Sequence, residues 1–192
     1  MKRFKNILLV CNFDAKQHMV EDRAVSLAKQ NEARLTVFTV AKECSVDARM
    51  TFTHMPQQEL HSLVIDDCRE KVDALAADIG RQGVDVRSQV VTGTPFLEII
   101  RQVLRDKHDL VILASEGNGG DNDRLFGTTS MHQNRKCPCP VWVVKLAQTR
   151  PYTPILAAVD PSVYHSKRGA INPLILQLAS GMARKEGGEL HI

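Results

Sequence analysis

An open, doubly wound α/β fold with a five-stranded parallel sheet is what this sequence predicts. Three observations predict it. Strand-like and helix-like segments alternate along residues 1–145, and such alternation builds parallel sheets through helical crossovers. The run N-I-L-L-V-C-N at 6–12 is almost continuously apolar, as a strand buried on both faces must be. A glycine-bearing loop follows the fourth strand, in A-S-E-G-N-G-G-D-N-D-R-L-F-G-T-T at 114–129, where a ligand can approach bare backbone.

The elements follow in order. After strand one (6–12), Val20, Ala24, Leu27 and Ala28 fall at helical spacing between charges, predicting an amphipathic helix over 20–30. Residues 34–40, R-L-T-V-F-T-V, are β-branched and form strand two. Residues 42–56 show no clean period. Pro56 opens a long helix whose apolar positions Leu60, Val64, Cys68, Val72, Leu75 and Ile79 step by four and three until Gly83 stops it. Residues 84–91 are strand three. Gly93-Thr94-Pro95 then supplies a turn, an N-cap hydroxyl and a first-turn proline for a helix carrying Phe96, Ile99, Ile100 and Leu104, ending near Lys107. Strand four spans 109–114, a short helix spans about 127–135, and strand five spans 141–145.

Composition excludes several classes. A net charge of +3, from 25 basic against 22 acidic residues, is too balanced for a nucleic-acid footprint. No apolar run reaches the ~20 residues that cross a bilayer, and no secretory cleavage site follows the first strand, so neither nucleic acid nor membrane is an expected partner. Five irregularly spaced cysteines suit free thiols in a reducing, cytoplasmic setting.

The pattern of the first strand returns. K-N-I-L-L-V-C-N at 5–12 is echoed by T-P-I-L-A-A-V-D at 153–160, an apolar helix follows at 171–183, and Leu190-His191-Ile192 parallels Leu35-Thr36-Val37. The expected organisation is a first domain over 1–146, a linker over 147–153 and the incomplete start of a second copy over 154–192, so that the chain reads as part of a longer tandem protein.

Taken together these motifs resemble the universal stress protein family, over essentially all of 1–145. The family's G-x2-G-x9-G-[ST] nucleotide signature is matched at Gly117, Gly127 and Thr128, with Ala114 at the first glycine position. K-C-P-C-P-V-W-V-V-K at 136–145 and G-T-P-F-L-E-I-I at 93–100 are similar to two of its packing motifs. The family places an aspartate at the end of strand one, and here Asn12 stands there, while the second copy keeps Asp160. The resemblance, which is to the tandem E-type members, implies an adenine nucleotide alpha hydrolase-like sheet of order 3-2-1-4-5. It also implies an adenine nucleotide site, taking ATP with Mg²⁺, that includes Asn12, Val40, Ala114, Gly117, Gly127, Thr128 and Thr129. Self-association through the edge strand Val141–Lys145, between copies or chains, is implied as well.

Each chemical candidate has a plainer counterpart. Gly117 and Gly127 with the Thr128 and Thr129 hydroxyls can cradle a phosphate at a helix start, or simply turn the chain. Glu116, Asp121 and Asp123, with Arg124 alone to offset them, repel a triphosphate unless a divalent ion intervenes. The loop lacks both the third glycine of a dinucleotide fingerprint and the terminal glutamate of a calcium loop. Cys137 and Cys139, one proline apart, are expected to be structural thiols, because the usual zinc and redox pairs are spaced by two residues. His54 and His61 lack partners at metal-ligand spacing, and His132 is expected on an exposed helix surface near the loop. No nucleophile, base and orienter assemble from the sequence. The expected function is therefore a non-enzymatic stress-response protein with a partly degenerate nucleotide cleft; the alternatives are a nucleotide-free interaction module and a weak ATPase.

Overall fold

The computed structural model describes residues 3–13, 18–41, 57–115, 132–133, 135–145, 153–161 and 171–192. Two compact units divide the chain, Lys2–Ala147 and Gln148–Ile192.

In the first unit the elements are β1 (Asn6–Val10), α1 (His18–Asn31), β2 (Arg34–Ala41), α2 (Gln57–Arg81), β3 (Val86–Thr92), α3 (Pro95–Asp106), β4 (Leu110–Ala114) and β5 (Val141–Val144). All neighbouring strands pair in parallel, in the order β3-β2-β1-β4-β5. This is the sheet order expected.

Strand alternation divides the core into two layers. Ile7, Leu9, Leu35, Val37 and Ile112 face one way, against Val20, Ala24 and Ala28 of α1 and Val72, Ala76 and Ile79 of α2. Leu8, Val10, Phe38, Val111 and Leu113 face the other, against Ile99 and Val103 of α3. Each fully buried Leu, Ile, Val or Phe contributes about 1.5–3 kcal/mol by leaving water. That explains why β1, β2 and β4, apolar on both faces, occupy the centre of the sheet.

Helix ends follow backbone chemistry. Asn31 closes α1 by accepting the Arg3 and Phe4 N–H groups on Oδ1 and donating from Nδ2 to the Leu27 carbonyl. Gly83 leaves α2 in the left-handed region, at φ 83°. Lys107 does the same after α3, at φ 55°.

Several boundaries differ from those expected. β1 ends at Val10, two residues early, because Phe13 turns the chain off the sheet at φ 57°, although the Cys11 N–H still reaches the Phe38 carbonyl at 2.8 Å. β3 begins at Val86, since Val84 and Asp85 are spent returning from the Gly83 turn to the ladder, where Asp85 first offers its carbonyl to Leu35. The Thr94 hydroxyl makes no cap bond to α3; its carbonyl accepts the Leu97 and Glu98 N–H groups instead.

The second unit contains β6 (Ile155–Leu156), α4 (Ile171–Glu186) and β7 (Leu190–His191). β6 and β7 pair in parallel. The strand expected over 154–160 is only two residues long because its partner is equally short: Ile155 donates to the Glu189 carbonyl and Ala157 to that of His191.

Candidate functional site

A strand leaving β1 crosses to β2 on one side, whereas the chain leaving β3 crosses to β4 on the other. That reversal marks the topological switch point, at the carboxyl ends of β1 and β4, where the crevice of an open α/β sheet takes its ligand.

The rim is fixed by register. Val10 pairs with both Phe38 and Leu113, the last pairs of β1 with its two neighbours, and Asn12 follows two residues beyond them, at the same end of the sheet as Val40 and Ser115. Asn12 is exposed and Val40 half-buried. Val40 packs with the α3-side cluster, whereas Ala114, buried, joins the α1-side cluster with Ile112 and Cys11. Thus the alanine at the first signature position is a core residue, and the asparagine lies at the open rim.

Backbone groups at this rim are partly committed. Thr39 Oγ1 donates to the Cys11 carbonyl at 2.7 Å, and the Ser115 N–H, the first amide beyond β4, donates to the Val144 carbonyl at 2.8 Å. Ser115 therefore offers no free amide to an anion. Gly117, Gly127, Thr128 and Thr129 lie outside the described residues, as do His54, Glu116, Asp121, Asp123 and Arg124.

Two left-handed positions shape the same end of the sheet. Phe13, a bulky residue at φ 57°, follows Asn12 directly, and non-glycine residues held there cost energy that the surroundings must supply. Gly93 follows β3 at φ 137°, and a Cβ there would stand 3.1 Å from Glu98 Cγ.

The helical turn before β5 docks on the start of α3. His132, exposed as expected, stacks on Phe96 with ring centroids 4.7 Å apart and planes 23° from parallel. Lys136 Nζ lies 5.9 Å from the same ring. Gln133, fully buried, donates from Nε2 to the Phe96 carbonyl at 2.9 Å. Sequence reasoning missed Gln133, because a glutamine in a short polar helix carries no signal of burial.

The thiols differ sharply from one another. Burial pushes the Cys11 thiol far up, and burial followed by the Asp67 charge raises that of Cys68. Cys137 and Cys139 bring their sulfurs to 3.6 Å. No cluster of three metal-ligating side chains exists among the described residues, and His61 lies half-buried on α2.

In the second unit, Asp160 follows β6 and is tied to the start of α4. Its N–H donates to Asn172 Oδ1 at 3.0 Å, and Asn172 Nδ2 donates to its carbonyl at 2.7 Å, so the first turn of α4 fixes the backbone there.

Comparison with known proteins agrees with this geometry. The universal stress protein family model matches residues 3–145. Universal stress protein E of Photorhabdus laumondii is 22% identical over 195 residues, an alignment that takes in 100% of this chain but 62% of that relative. The chain thus spans less than two thirds of the relative's length. Among solved structures, the universal stress protein UspA from Lactobacillus plantarum superposes with a TM-score of 0.62 at 18% identity, covering 74% of this chain and 98% of that one. A Pseudomonas aeruginosa protein described by the same family name gives 0.74 at 19% identity, covering 99% of this chain and 61% of that one.

Proposed function

The chain belongs to the universal stress protein family, and on that premise we propose that it is a non-enzymatic stress-response protein that holds an adenine nucleotide weakly in the crevice beyond β1 and β4. The observation that carries this reading is Asn12, exposed just beyond the carboxyl end of β1 at the switch point. In that place an amide can bond a ribose hydroxyl or a base edge, but without the charge that strengthens such bonds. Gly117, Gly127, Thr128 and Thr129 complete the proposed site, with Mg²⁺ offsetting the acidic loop. The same reading makes the chain cytoplasmic and part of a tandem protein, with β5 the edge through which copies associate.

Calorimetric titration with ATP and Mg²⁺ tests it. We expect binding in the high-micromolar to millimolar range, tightened in Asn12→Asp and lost in Gly127→Val. Absence of heat at millimolar ATP in both the parent chain and Asn12→Asp overturns it. That result would favour a nucleotide-free interaction module, a reading supported by the Ser115 amide already bonded to Val144.

A further inference from the structure

We propose that Cys137 and Cys139 form a two-electron redox site, closed to a disulfide by hydroperoxides and reopened by thiols, distinct from the nucleotide crevice. The inference goes beyond the nucleotide reading and does not depend on it.

Geometry comes first. The sulfurs stand 3.6 Å apart, so closing to a disulfide of about 2.05 Å moves them together by only roughly 1.5 Å. Both residues are half-buried, packed against the α3-side cluster and not sealed within it. The backbone between them belongs to neither helix nor strand, and Pro138 contributes no N–H that a movement would have to break. Two anchors hold the segment at its ends: the Cys137 N–H donates to the Gln133 carbonyl at 2.9 Å, and the Pro140 carbonyl accepts the Val111 N–H at 3.0 Å. The second anchor sets the pair toward the amino ends of β4 and β5, opposite the crevice.

The two thiols are unequal, as such chemistry requires. The Cys139 thiol, and then its backbone N–H, bond the Cys137 sulfur and favour its thiolate, lowering it to about 7 against the opposing effect of burial. Cys139, donating that bond and half-buried, is held as the thiol. On this assignment Cys137 is the nucleophile and Cys139 the resolving group, an order that the two single variants below decide.

The steps balance. The Cys137 thiolate attacks one peroxide oxygen; an S–O bond forms, the O–O bond breaks, and the departing hydroxide takes a proton to become water, leaving a sulfenic acid. The Cys139 sulfur then attacks the Cys137 sulfur, the S–S bond forms, the S–O bond breaks, and the hydroxyl leaves as a second water with the Cys139 proton. Two thiols have lost two electrons to the peroxide. Two external thiols return them by exchange and leave as their own disulfide.

The experiment uses the full reduced chain with one equivalent of hydrogen peroxide, followed by alkylation, trypsin and mass spectrometry. Both sulfurs fall in the peptide 137–145. The expected result is loss of two hydrogens from that peptide and its protection from alkylation, both reversed by dithiothreitol. Cys139→Ser should stop at a sulfenic acid that dimedone traps at Cys137, and Cys137→Ser should show neither product. Before oxidation, Cys137 should alkylate at neutral pH at least ~10-fold faster than Cys68. The proposal is overturned if the disulfide forms between chains, if Cys137 alkylates no faster than Cys68 and the peptide keeps its hydrogens, or if the chain carries a stoichiometric soft metal on the two sulfurs.

Discussion

Asp109 and Asn6 bond each other twice: the Asp109 N–H donates to the Asn6 carbonyl at 2.9 Å, and the Asn6 N–H donates to Asp109 Oδ1 at 3.1 Å. Oδ2 of the same carboxylate accepts the Lys5 N–H at 2.6 Å. The register of the central β1–β4 pair is thereby pinned at its amino end. Asp109→Ala strands two backbone donors and should cost about 1–3 kcal/mol, whereas Asp109→Asn keeps an acceptor and should cost less. Urea midpoints of the two variants check the order.

Gly93→Ala should destabilise by about 1–2 kcal/mol, since alanine is strained at φ 137° and its Cβ meets Glu98 Cγ at 3.1 Å. Adding Glu98→Ala removes the contact but not the strained backbone. Thermal unfolding of the double variant should show partial recovery, and full recovery would mean that the conformation itself is harmless.

Lys107→Gly should stabilise the protein. Lys107 is exposed and holds the left-handed C-terminal position of α3 at φ 55°, which glycine adopts without a Cβ penalty. The expected gain is about 0.5–1 kcal/mol, less the added freedom of glycine in the unfolded chain. A lowered urea midpoint would show that the lysine side chain matters more than its backbone.

His108 makes stability depend on pH. It is buried at the entry to β4, where desolvation lowers its pKa below the ordinary 6.5, with Gln102 Nε2 3.4 Å from its Nε2. The neutral ring is the folded form. Its contribution is complete above the unfolded value of about 6.5 and is lost as pH falls through the lower folded value. Urea titrations at pH 7.5 and 5 should show a drop that is smaller in His108→Gln, and equal drops would exclude His108 as its source.

Much of the fold was legible because burial on two faces leaves an unmistakable composition. β1, β2 and β4 announce themselves as apolar runs, and the four-three spacing from Leu60 to Ile79 marks α2. Strand ends were read less well, because they depend on single backbone conformations such as those of Phe13 and Gly83, which a side-chain pattern does not encode. The crevice was legible only in outline. Its position follows from strand order, but Ala114 turns into the α1-side core while Asn12 stays at the rim, a division fixed by the parity of the strands. The Cys137–Cys139 contact was hidden for a similar reason: one-residue spacing says little about where two sulfurs meet until the chain between helix and strand is drawn.

The chain has a single tryptophan, Trp142, in register with Ile112 on the outermost strand and packed on the α1-side cluster. Indole emission from the native protein consequently originates at one sheet margin and nowhere else. Any event that loosens or covers that margin should change the spectrum without an added dye, while events confined to the far side of the sheet should pass unseen.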